Sequence, residues 1–115
     1  MTWTFTVRRE EGRGYARLEG TAENPERGQH QYWCFVIGET WCSLDLWPLW
    51  PETYELFERF KSRLGPPSRG PDHRPLAADL MDGLDEGPIL ATVWSFPGEE
   101  RERILADLEA FLAGK

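Results

Sequence analysis

The sequence predicts an α+β fold: a mainly antiparallel sheet of about five strands, in the order ββββ–α–short α–β–α, with the helices packed on one face. Three observations predict it. The stretch 32–47, YWCFVIGETWCSLDLW, reads as two adjacent strands rich in β-branched and aromatic residues, with turn chemistry at Gly38-Glu39. Two segments ahead of it alternate apolar and polar residues with a period of two. Two later segments carry apolar residues at helical spacing, and each is preceded or followed by proline and glycine. The 115 residues suffice for one domain, residues 1–115, and are too few for two.

In chain order, Met1 to Val7 is the first strand, with Trp3, Phe5 and Val7 on one face and Thr2, Thr4 and Thr6 on the other. Arg8 to Gly14 reads as a charged, glycine-rich hairpin loop. Tyr15 to Ala22 alternates again, with Ala16, Leu18 and Ala22 inward and Tyr15, Arg17 and Glu19 outward. Asn24, Pro25 and Gly28 mark a second loop over 23–28.

Parity sets the faces of the central hairpin. An even loop around Gly38-Glu39 pairs Ile37 with Thr40, Phe35 with Cys42 and Trp33 with Leu44. One face then holds Trp33, Phe35, Ile37, Cys42, Leu44 and Leu46, a core. The other holds His30, Tyr32, Cys34, Val36, Trp41, Ser43, Asp45 and Trp47. An odd loop mixes the faces, because a one-residue slip turns every side chain over. The even loop also puts Cys34 and Cys42 on opposite faces, where no disulfide can join them.

Pro51 suits the first turn of a helix over 52–64, with Thr53, Leu56, Phe57, Phe60 and Leu64 on one face. Gly65-Pro66-Pro67 ends it. Residues 68–75, rich in proline, glycine and arginine, read as a loop, and 75–81 as one or two helical turns. Ile89 to Phe96 is the most apolar strand, placed centrally or beside the first. Pro97-Gly98 opens a final helix over 99–113, whose stripe is Ile104, Leu105, Leu108, Phe111 and Leu112.

The formal net charge of −7 argues against a nucleic-acid or anionic-membrane ligand, since phosphate neutralisation needs lysine and arginine. No apolar run approaches the roughly 20 residues of a membrane span. No secretory signal is visible at the start, and two cysteines suit a reducing cytoplasm. No phosphate loop, GxSxG or HExxH occurs, so no catalytic residue, cofactor or metal is expected. Cys34 and Cys42 lack metal-ligand spacing. Asp79 to Gly87 lacks the alternating oxygen ligands and closing glutamate of a calcium loop. His30 and His73 each stand at or near a loop without a convergent partner.

Two features point to binding. Six tryptophans in 115 residues exceed what one core needs. Trp41, Trp47 and Trp50, with Tyr32 and Tyr54, are expected near one end of the central hairpin, either covered by the first helix or exposed as an interface anchor. Residues 76–115 hold nine acids against three bases, and Asp79, Asp82, Asp85 and Glu86 are the candidate acidic contact surface among them. The expected function is a small, acidic, non-catalytic protein-binding module whose partner has a basic surface. Immunity proteins, antitoxins and phage-encoded inhibitors are the analogy, by size and charge alone, and the arginine and glycine content suggests a bacterial or phage genome. The alternative is a small-molecule-binding or enzymatic domain with a pocket between sheet and helices, lined by Trp33, Trp41 and Trp94. A homodimer through the aromatic face is a further possibility.

Overall fold

A computed structural model describes residues 4–24, 29–47, 49, 51–75 and 88–113. They form one six-stranded antiparallel sheet and two helices, the α+β architecture that the patterning predicts. The strands are β1 (Thr4–Gly12), β2 (Tyr15–Asn24), β3 (Gln29–Ile37), β4 (Trp41–Trp47), β5 (Arg69–Pro75) and β6 (Pro88–Ser95). Their order across the sheet is β1-β2-β3-β4-β6-β5. Helix α1 (Pro51–Leu64) links β4 to β5, and α2 (Arg101–Leu112) follows a 3₁₀ turn at Gly98–Glu100.

The register fixes two faces. Ala16, Leu18 and Ala22 of β2 lie beside Ile37, Phe35 and Gln31 of β3. Ile37, Phe35 and Trp33 of β3 continue to Cys42, Leu44 and Leu46 of β4, and on to Trp94, Thr92 and Leu90 of β6. Both helices cover this face. Leu56, Phe57 and Phe60 of α1 and Leu105, Leu108 and Leu112 of α2 close the main core, with Leu64 at its margin. Thr53 Oγ1 donates to Gln31 Oε1 at 2.8 Å and pins the first turn of α1 to β3. The Trp94 indole donates to the Gly65 carbonyl at 2.8 Å and pins its end. Phe5, Trp33, Phe60 and Phe111 meet ring to ring under the β1 side of the sheet, with centroids 5.4–6.4 Å apart.

Gly20 makes that aromatic cluster possible. It stands opposite both Val7 and Trp33. A Cβ there would lie 1.7 Å from the Thr6 carbonyl oxygen. Only the absence of a side chain lets β1 pass so close to β2 while Phe5 reaches Trp33.

Four expectations need correction. The expected loop over 8–14 is instead the second half of β1, and only Arg13-Gly14 turns, with Gly14 at φ 78°. Its charges suit an edge strand, where Arg8 pairs with Glu19 and Arg9 with Glu11. The expected loop over 68–75 holds the sixth strand, β5. Its prolines are tolerated because it lies at the sheet edge, and its register shifts between Arg69 and Asp72.

The central hairpin is two residues out of the expected register. Ile37 pairs with Cys42, Phe35 with Leu44 and Trp33 with Leu46, so Glu39-Thr40 forms the turn. The Gly38 N–H donates to the Trp41 carbonyl at 2.8 Å, which extends the ladder past the expected turn. A shift of two preserves parity, and the predicted faces stand. The final helix begins at Arg101 rather than at residue 99, after the 3₁₀ turn. The short helix expected over 75–81 falls mainly outside the described residues, while Pro75 itself ends β5.

Candidate interaction surface

Both helices lie on one side, so the opposite sheet face presents the other half of each strand. Across its middle run Arg8, Glu19, Cys34, Asp45, Ala91 and Asp72 in register. Tyr32 and Trp47 pair directly across β3 and β4, and their rings stack at 6.0 Å and 15°. They do not form an exposed patch. Trp47 is 8% exposed and joins Cys34 and Ile89 in a second small buried cluster, with Tyr32 and Val36 at its margin. This cluster stands on the face that α1 does not touch, so the first helix is not its cover.

Trp41 stands apart. It begins β4 while Trp47 ends it, roughly 20 Å away at the usual rise of a strand. Trp41 is 43% exposed, the largest value among the described tryptophans. Its indole lies over Gly38, where a Cβ would fall 2.5 Å from Nε1. Tyr15, also exposed, repeats the arrangement one hairpin away, its ring covering the place of a Gly12 side chain. Glycine opposite an aromatic residue gives the ring a flat seat on the sheet and leaves its outer side open.

The ends of three connections meet here. Arg101 begins α2, where the helix dipole disfavours a cation. Its Nε donates to the Gly38 carbonyl at 2.9 Å and its Nη1 to Glu102 at 2.8 Å, which fastens α2 to the β3–β4 turn. The Phe96 N–H donates to the Thr40 carbonyl at 2.9 Å. A hollow of about 430 Å³ lies between the β1–β2 turn and α2, lined by Arg9, Glu11, Tyr15, Glu39, Arg101 and Glu102 among others. Of its lining residues, Glu11, Glu39 and Glu102 are exposed carboxylates.

Of the residues expected to bind a partner, Trp41 is at this end, and Tyr32 and Trp47 are at the other. Trp50, Asp79, Asp82, Asp85 and Glu86 lie outside the described residues. Tyr54 is not near Trp41. Its hydroxyl is 2.6 Å from His73 Nε2, and the pair joins α1 to β5. Trp33 and Trp94 face the helices while Trp41 faces away, so no single pocket collects the three. Tyr15 and Glu39 were not singled out from sequence. The signal was present as glycines facing Tyr15 and Trp41, but it needs the register to be read.

Both thiols are free, and both are buried. Burial pushes the Cys42 thiol up to about 12. Burial also raises Cys34, and the neighbouring Arg17 only partly opposes it. Neither is a thiolate near neutral pH, which argues against a cysteine nucleophile. Among the described residues no group of three or more His, Cys, Asp or Glu could hold a metal ion. None of their helices is long and apolar enough to cross a membrane.

Comparison with protein-family models, curated proteins and solved structures found no match.

Proposed function

We propose that this protein is a small acidic binding module that acts by occupying another protein, as inhibitors, immunity proteins and antitoxins do. The observation that carries the reading is Trp41, exposed on its glycine seat on the same sheet face as Tyr15, with the exposed Glu39 in the adjoining turn. An exposed tryptophan in a fixed orientation loses little side-chain entropy on binding, and tryptophan and tyrosine dominate interface hot spots. The net charge of −7 suits a partner with a basic surface and speeds encounter with it. The hollow beside Tyr15 favours a small-molecule reading less. Ligand pockets are lined mostly by apolar side chains, and this one is lined mostly by charged residues.

The test is kinetic. A partner captured from the native host is measured against wild type, Trp41→Ala and Glu39→Lys. Trp41→Ala is expected to speed dissociation by about tenfold or more, the effect of a hot spot worth at least 1.4 kcal/mol. Glu39→Lys is expected to slow association, and more so at low salt. Unchanged dissociation for Trp41→Ala would place the contact elsewhere and remove the basis of the reading.

A further inference from the structure

We propose that the chain pairs with a second copy of itself through the free edge of β1, about a two-fold axis at Val7. Among the described residues the sheet has two edges, β1 and β5, and they differ. β5 carries Pro71 and Pro75, which lack N–H groups, and its register breaks between Arg69 and Asp72. Prolines, bulges and charged side chains are the usual ways a protein closes an edge to strand addition. β1 has no proline and no bulge, and its charges are confined to Arg8 to Glu11. It runs nine residues without proline, and its first half, Thr4-Phe5-Thr6-Val7, is made of strong strand formers.

The hairpin settles which backbone groups of β1 are spare. Gly12 and Tyr15 flank the two-residue turn, so they exchange hydrogen bonds with each other. Counting back by twos, Glu10, Arg8, Thr6 and Thr4 bond inward to β2. Phe5, Val7, Arg9 and Glu11 direct their N–H and C=O groups to the open edge. Left to water in the lone chain, such a row is a template for another extended strand.

Symmetry then narrows the register. A two-fold axis normal to the sheet keeps both helical layers on one side and pairs odd residues with odd, even with even. Axes at Arg8, Arg9, Glu10 or Glu11 would set identical charges directly opposite each other. An axis at Val7 sets Thr6 against Arg8, Phe5 against Arg9 and Thr4 against Glu10, with no like charges facing. It also buries the right residue. Val7 is 42% exposed although it lies on the helical face. Beside it opens a largely apolar hollow of about 370 Å³, lined by Phe5, Leu18 and Leu112 among others. On the axis, Val7 meets its own counterpart, and the two hollows adjoin. This contact lies on a different surface from Trp41, so it does not depend on the proposed function.

The experiment is light scattering and sedimentation of the full chain over a wide range of concentration. The mass is expected to rise from 13.3 kDa to twice that value. Amide exchange at Phe5, Val7 and Arg9 is expected to slow with concentration. Val7→Pro removes an N–H that β2 does not use, and Val7→Lys places two cations on the axis. Each is expected to weaken self-association by at least about tenfold while dilute samples keep the wild-type circular dichroism. A 13.3 kDa species at every concentration overturns the proposal. So does a dimer that survives both substitutions, or one that dissociates with Trp41→Ala instead.

Discussion

Replacing Gly20 with alanine adds one methyl group at the tightest point of the sheet. The new Cβ would stand 1.7 Å from the Thr6 carbonyl oxygen and 2.8 Å from its carbon. Both obstacles are backbone, so no rotamer change relieves them, and β1 must move away from β2. Phe5 moves with it and loosens against Trp33, Phe60 and Phe111. Overpacking of this kind costs about 1–3 kcal/mol. Alanine returns at most about 1 kcal/mol by restricting the unfolded chain. The net expectation is a loss on the order of 1–2 kcal/mol, read as a lower urea midpoint with unchanged slope. Gly12→Ala is the control. Its Cβ would fall 2.1 Å from the Tyr15 ring, but that ring is exposed and can swing aside. Gly12→Ala is therefore expected to be tolerated. A Gly20→Ala protein as stable as wild type would refute the close approach of β1, and with it the packing of Phe5.

Leu44 lies fully buried between Phe35 and Thr92, and Leu44→Ala is expected to cost about 2–5 kcal/mol by urea denaturation. A loss below about 0.5 kcal/mol would mean that the face is wrong. Thiol titration of the unfolded protein without reductant is expected to count two, and a count of zero would contradict the separation of Cys34 and Cys42 onto opposite faces. The folded Cys42 thiol sits at about 12, above an ordinary value of 9.0. Its stabilising share is complete below the unfolded value and is lost as pH rises through the window from 9.0 to about 12. By pH 10 the loss is on the order of 1 kcal/mol relative to neutral pH, and Cys42→Ala is expected to lack that component. Equal pH dependence for the two proteins would show that the thiol is not held in its neutral form.

The sequence alone determined the elements that rest on periodicity. Strict alternation identified the apolar faces of β2, β3 and β4, because side chains on a strand reverse with every residue. Helical spacing picked out Thr53, Leu56, Phe57 and Phe60 on α1 before any packing was known. Parity, a property of the chain itself, sent Cys34 and Cys42 to opposite faces even though the turn was placed one residue early and the register two residues out. Tertiary structure decided what depends on neighbours. The charged half of β1 and the proline-bearing β5 are strands only because they lie at edges, where solvent accepts charges and a missing N–H breaks no ladder. The fates of the tryptophans were likewise beyond pattern. Trp41 and Trp47 share one face of one strand, yet one lies open on Gly38 and the other is buried against Tyr32. Burial at a given position is set by what the rest of the chain lays over it, and that is a long-range property no local spacing encodes.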